Sequence, residues 1–235
     1  MKKLFLLVLT CCVMIGFGSV SLAKADTLAL SLALDGSGSI SSHDWTLQLE
    51  AYADAIKSVV PTDGSVAINV IQFSTSAQEE IGFTVIDSED SAVNFAYQLL
   101  AIHQIGGSTD IAGGIDLAAH LLSGLSGYDR LVIDVSTDGD QTVSGKIPAV
   151  SAFNAVYGSG IDAVNAIGVG TSAVLGFKCG INSFSVSADN WNDFADALEN
   201  KLVREITNST VPEPATAALF GIGLLGLAGM NRRKK

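Results

Sequence analysis

Cysteine is scarce, with three in 235 residues. Cys11 and Cys12 fall in the N-terminal apolar run, so the rest of the chain keeps only Cys179, and no intramolecular disulfide can form there. Stability must then come from a packed core, with Cys179, in the Gly/Ser-rich stretch 170–187, read as one small residue of it. Basic side chains are also few, 13 Lys and Arg against 24 Asp and Glu. Seven of the 13 (Lys2, Lys3, Lys24, Arg232, Arg233, Lys234, Lys235) lie at the two ends, where Glu213 is the one acidic residue. The chain between them keeps six basic and 23 acidic residues, a net charge of −17 with histidine neutral. Such a surface repels nucleic acid and anionic headgroups and favours divalent cations or basic partners. The three histidines, His43, His103 and His120, show no metal-ligand spacing. A phosphate-binding G-x-x-x-x-G-K-[ST] loop is missing, as is any catalytic His or Cys arrangement, and a non-enzyme is expected. There is no internal repeat.

Both ends have a recognisable build. Residues 1–25 combine Lys2 and Lys3, the apolar stretch Leu4 to Val20, and Ala23-Lys24-Ala25 before Asp26, the three parts of a secretory signal peptide. A domain over 26–207 should follow, then a linker over 208–214 that ends in Pro212-Glu213-Pro214. Residues 215–235 hold a glycine-interrupted apolar segment, Ala215 to Met230, and the basic end Asn231 to Lys235. The apolar segment is short for a spanning helix, and the basic cluster would keep its end on the cytoplasmic side. The Pro-Glu-Pro, apolar segment and basic end together resemble a PEP-CTERM sorting signal of exported Gram-negative proteins. That resemblance implies an exosortase-type processing enzyme and delivery to the cell surface or extracellular matrix. It also implies contact with the inner membrane, at least transiently, through 215–230. A lasting inner-membrane anchor is the alternative.

Between the ends, apolar runs alternate with helical patterns. Thr27 to Leu34 alternates leucine with small residues, as a strand covered on both faces does. Ser41 or Ser42 can cap a helix carrying Trp45, Leu49, Tyr52, Ile56 and Val60 on one side and ending at Pro61. Ser65 to Phe73 and Glu80 to Ile86 read as strands close enough to form an antiparallel hairpin, the second at the sheet edge. Helices are expected from Ser88-Glu89-Asp90 onward, with Val93, Ala96 and Leu100 inward, over Asp110 to Ser123 and over Ile147 to Tyr157. Arg130 to Val135, Ile161 to Val169 and Ile181 to Val186 are expected strands, and Trp191, Phe194, Leu198 and Ile206 mark a closing helix. This alternation predicts an α/β fold, a doubly wound, mostly parallel central sheet with one antiparallel edge strand and helices on both faces. Ligands of such sheets bind at the carboxyl ends of the strands.

Three polar segments fall at that edge. Asp35-Gly36-Ser37-Gly38-Ser39 follows the first strand, Gly106-Gly107-Ser108-Thr109-Asp110 opens a helix, and Thr137-Asp138-Gly139-Asp140 follows Arg130 to Val135. Asp35, Ser37, Ser39, Thr109 and Asp138 offer five oxygen-bearing side chains, a set suited to a hard divalent cation, magnesium first and manganese or calcium otherwise. Asp110 and Asp140 lie on the same loops as further candidates. Asp134 interrupts an apolar strand on the face of Val132 and Ser136. Buried there, it needs hydrogen bonds from a helix N-terminus or hydroxyl, unless it supports the site from behind.

Asp35-x-Ser37-x-Ser39, Thr109 in Gly-Gly-Ser-Thr-Asp and Asp138 in Thr-Asp-Gly resemble the metal-ion-dependent adhesion site of a von Willebrand factor type A domain. The runs Arg130-Leu-Val-Ile-Asp-Val-Ser and Ile161-Asp-Ala-Val-Asn-Ala-Ile are also similar to a bacterial subgroup of secreted type A domains of unassigned function. The resemblance implies that Ser37, Ser39 and Thr109 bind the cation directly or through water and that the two aspartates often act through water. It implies a binding module in adhesion or matrix assembly, whose protein or matrix partner offers a carboxylate to the cation. Two alternatives remain: a structural matrix protein whose metal only stabilises the fold, or an accessory subunit of an enzyme.

Overall fold

A computed structural model describes residues 26–207 of the chain. The expected signal peptide, the linker and the apolar tail lie outside the described residues. The elements run β1 (Leu28–Asp35), α1 (Ser42–Val59), β2 (Val66–Phe73), β3 (Ala77–Ile86), α2 (Glu89–Leu100), α3 (Ile111–Ser123), β4 (Arg130–Thr137), α4 (Pro148–Ser159), β5 (Ala163–Val169), β6 (Cys179–Gly180), β7 (Ser185–Ala188) and α5 (Trp191–Thr207). They form one sheet of order β3-β2-β1-β4-β5-β6, with β7 also paired to β5. β1 runs parallel to β2 and to β4, and β4 parallel to β5. β3 is antiparallel to β2 and forms the edge.

The alternation in β1 explains how the layers pack. Leu28, Leu30, Leu32 and Leu34 point into one core with α1, α2 and α5, where Tyr52 meets Phe194 edge-on with centroids 5.9 Å apart. Ala29 and Ala33 point into the other core, under α3 and α4, with Ile71, Phe73, Ile115 and Ile133. Small residues suit that side because α3 sits close. A Cβ on Gly114 would stand 2.7 Å from the Phe73 ring. The chain leaves β1 toward β2 on one side and enters β4 on the other, so the β1/β4 border is the switch point of the sheet, where a crevice opens at the strand ends.

Two expectations are corrected. In α2 the inward stripe is Ala92, Phe95, Ala96 and Leu99, whereas Val93 and Leu100 are 38% and 44% exposed. Two apolar stripes one residue apart share this helix, and the one carrying Phe95 fills the space beside α1. The strand expected over Ile181 to Val186 is broken in two. Asn182 has φ 61° and Ile181 is 85% exposed, so a turn separates the antiparallel β6 from the parallel β7. At the turn's start Gly180 has φ 103°, and a Cβ there would lie 2.2 Å from the Asp162 carbonyl oxygen, which only glycine avoids. Cys179, in β6, is half-buried.

Candidate metal centre

Asp35 closes β1 and is fully buried. Its Oδ1 accepts from the Ser37 N–H at 2.9 Å and its Oδ2 from the Thr137 hydroxyl at 2.6 Å. Burial raises its pKa from 3.8 to about 6; the bonds from Thr137 and Ser37 pull downward, and the nearby charge of Asp138 adds to the rise. A buried carboxylate of this kind is relieved by an adjacent positive charge.

The turn after Asp35 is shaped by close backbone approach. A Cβ on Gly36 would stand 2.1 Å from Gln72 Oε1. That oxygen accepts the Ile105 N–H at 2.7 Å, and Gln72 Nε2 donates to the His103 carbonyl at 3.0 Å, so the end of β2 holds the 103–105 segment. The Gly36 carbonyl in turn accepts from Gly106 N at 2.8 Å, and Gly38 N donates to the Gly107 carbonyl at 2.9 Å. Gly107 needs its glycine, with φ 99° and Thr75 Oγ1 only 2.6 Å from where a Cβ would be. Gln104 Nε2 completes the tie, donating to the carbonyls of Ser37 at 3.0 Å and Ile40 at 2.9 Å.

On this frame the side chains meet. Ser37 Oγ and Ser39 Oγ are 3.0 Å apart, and the Ser39 hydroxyl donates to Asp138 Oδ1 at 2.8 Å. Asp35, Ser37, Ser39 and Asp138 are thus linked within one turn and the end of β4. Thr109 is buried in the loop bound to that turn through Gly106 and Gly107. Its backbone is stitched to Thr142, N–H to Oγ1 at 2.7 Å and carbonyl from Thr142 N at 2.9 Å. Carboxylates alone do not make the site: among the described residues no three His, Cys, Asp or Glu side chains gather to hold a metal. The set instead mixes two carboxylates with three hydroxyls.

The other three candidates have different partners. Asp110 caps α3, accepting from Gly113 N at 3.0 Å, Gln141 Nε2 at 2.9 Å and Lys146 Nζ at 2.6 Å. Burial alone would raise its carboxyl, but these three donors outweigh it and hold the pKa below its ordinary value. Asp140 is exposed and accepts from the Gln141 N–H at 2.7 Å, a local turn contact. Asp134 points away from the rim into the core under α1 and α5, where it pairs with the buried ammonium of Lys201. Lys201 also reaches Glu205 Oε1 at 2.6 Å. His43, His103 and His120 are exposed and apart.

Several residues of the frame were not singled out in the sequence. Thr137 sits on the last position of β4, beside Asp35 across the switch point. Gln48 donates to the Asp35 carbonyl at 3.1 Å and accepts from the Ser136 hydroxyl at 2.8 Å. Its position between Trp45 and Leu49 and Tyr52 on the inward stripe of α1 was a readable signal, because a buried amide there needs polar partners. Lys201, between Leu198 and Leu202 on the inward face of α5, was another.

Comparison with solved structures shows a von Willebrand factor type A fold. Proximal thread matrix protein 1 of the mussel byssus is 19% identical, with a TM-score of 0.64 over 78% of this chain and 49% of its own. A form of it with a zinc-occupied MIDAS motif (metal-ion-dependent adhesion site) is 18% identical, with a TM-score of 0.64 over 77% and 46%. A von Willebrand factor type A protein from Catenulispora acidiphila is 15% identical, with a TM-score of 0.63 over 78% and 43%. BatB from Bacteroides thetaiotaomicron is 20% identical, with a TM-score of 0.53 over 77% of this chain and 100% of its own. The chain spans about half the length of the byssus protein. No curated protein matches it. Residues 210–234 match the PEP-CTERM protein-sorting motif. Residues 25–210 match the model described as protein of unknown function DUF1194, and the chain belongs to that family.

Proposed function

We propose that the chain is an exported, surface- or matrix-associated binding module that engages its partner through a divalent cation held by Asp35, Ser37, Ser39, Thr109 and Asp138. The observation that carries this reading is the oxygen spacing at the rim. Octahedral magnesium at 2.0–2.1 Å from its ligands places neighbouring ligand oxygens about 2.9 Å apart. Ser37 Oγ to Ser39 Oγ is 3.0 Å and Ser39 Oγ to Asp138 Oδ1 is 2.8 Å, hydrogen-bond separations that also suit two edges of such a polyhedron. With few carboxylates around it, a bound dication offers an under-neutralised position to a carboxylate of the partner. Ser37, Ser39 and Thr109 would supply neutral oxygens, while Thr137 orients Asp35 and Gln104 holds the turn. No nucleophile or general base accompanies the set, which favours binding over catalysis.

Two further facts support the setting. The sorting motif at 210–234 fits a protein passed to the cell surface by an exosortase-type enzyme, with 215–230 in the inner membrane during that passage. The byssus matrix protein with its zinc-occupied MIDAS motif is a fold neighbour, in line with an adhesive or matrix role. The rim lies at the carboxyl ends of β1 and β4. The last described turn of α5 lies at the opposite end, where Arg130, the first residue of β4, donates to the carbonyls of Glu205 and Ile206 at 2.9 Å each. A domain tethered through its C-terminal end therefore presents the rim outward.

Calorimetric titration of the chain without its signal segment tests the reading. Magnesium and manganese should bind one per chain, and Asp35→Ala or Asp138→Ala should abolish the heat. No binding by the wild type, or an unchanged titration in both variants, overturns it.

A further inference from the structure

Beside the rim, a cleft of about 340 Å³ opens between the first turns of α1 and the last turn of α2, with Trp45, Leu49, Leu100, Ile102, His103 and Gln104 among its lining. α1 starts and α2 ends at the carboxyl ends of the strands, so the cleft is at the same end of the domain as the candidate cation site. The two are tied together. Gln104 lines the cleft and donates to the carbonyls of Ser37 and Ile40, and the Trp45 indole N–H donates to the Ile102 carbonyl at 3.2 Å, fixing the floor. Leu100 in its wall and Ile105, five residues on, are 44% and 46% exposed. Neither supports the core, and Ile105 leads directly into Gly106 and Gly107 of the rim.

We infer that this cleft reads the partner's sequence. The inference rests on the cation reading above. The occupant is a protein segment in which one carboxylate side chain is accompanied, within about three positions in extended chain, by an aliphatic or aromatic side chain. The carboxylate meets the cation and the apolar side chain enters over Trp45. Charge narrows the partner further. No Lys or Arg lines the cleft, and five of the six basic residues of the domain are engaged elsewhere. Lys57 pairs with Asp54, Lys146 with Asp110, Lys201 with Asp134, Arg130 caps α5, and Arg204 stacks 3.7 Å above the Phe184 ring. An incoming carboxylate therefore meets no lysine or arginine along the cleft, and the cation is the group there that attracts it. With −17 on the domain, the rest of the segment must be neutral or basic.

A displayed library of short random peptides, each carrying one fixed glutamate, is selected on the mature chain in magnesium. Selected peptides should carry Leu, Ile, Phe or Trp within three positions of the glutamate and should be released by chelator. Leu100→Glu, at an exposed position, and Thr46→Trp, at an exposed residue that also lines the cleft, should each weaken the selected peptide about tenfold or more and leave magnesium affinity unchanged. If the wild type binds magnesium but no peptide is selected, the apolar preference is missing, or both variants bind as wild type, the cleft inference is overturned and the cation reading stands. A wild type that does not bind magnesium overturns both.

Discussion

Replacing Lys201 with methionine separates the cost of burying charge from the benefit of pairing it. Lys201, Asp134 and Glu205 have fully buried side chains, and Asn165 Nδ2 donates to the same Glu205 Oε1 at 2.9 Å. Methionine keeps most of the volume but leaves two carboxylates in the core without their cation. Removing one partner of a buried ion pair costs about 3–5 kcal/mol, against a total of about 5–15 kcal/mol for a domain. At roughly 2–4 °C per kcal/mol for a chain of this size, the melting temperature should fall by about 6–20 °C. The pH dependence gives a second reading. Burial, with Asp134 adding to it and Lys201 opposing, raises the Glu205 pKa from 4.5 to about 7. An acid whose folded pKa is raised makes the folded state bind more protons than the unfolded state between those values. Stability from this group therefore falls as pH rises from 4.5 to about 7. Without the ammonium that window reaches further up, so the loss in Lys201→Met should be larger near pH 8 than near pH 5. Thermal melts followed by circular dichroism at both pH values measure it. A melting temperature within a couple of degrees of wild type near pH 8, or an equal loss at both, would refute the reasoning.

Thr137→Val removes the 2.6 Å donor to Asp35 Oδ2 and leaves that buried oxygen unpaired. Magnesium affinity near neutral pH should fall about 10- to 150-fold, matching a lost bond to a charged group, and calorimetry showing no change would speak against Thr137 as the orienting residue. Gly36→Ala places a methyl 2.1 Å from Gln72 Oε1, so Gln72 must release the Ile105 amide. A loss of about 1–3 kcal/mol is expected in denaturant unfolding, with faster hydrogen exchange at Ile105; unchanged values in both would contradict the close-packed turn.

Some of the candidate site was legible because local chemistry and strand order suffice to bring its residues to one edge. Asp35, Ser37 and Ser39 alternate along one turn. Asp138 follows β4 at the end to which β1 also points, and the hydrogen bond from Ser39 to Asp138 spans that border. Asp110 and Asp140 share those loops, yet the structure gives one to Lys146 and the other to its own turn. Nothing in a linear pattern distinguishes a rim carboxylate from one already occupied by a lysine 36 residues away. The two apolar stripes of α2 were likewise equivalent until α1 lay beside one of them.

By itself the sequence determined the class of fold, the order of its elements, the oxygen-rich loops at one edge and the composition of both ends. Each depends on residues close in the chain, on periodicity, turns and runs. Tertiary structure decided which polar groups pay attention to which neighbour: Thr137 to Asp35, Gln72 to Ile105, Lys201 to Asp134 and Lys146 to Asp110. The physical reason is burial. A polar atom inside must find a partner wherever packing brings one, and the partners lie tens of residues away along the chain.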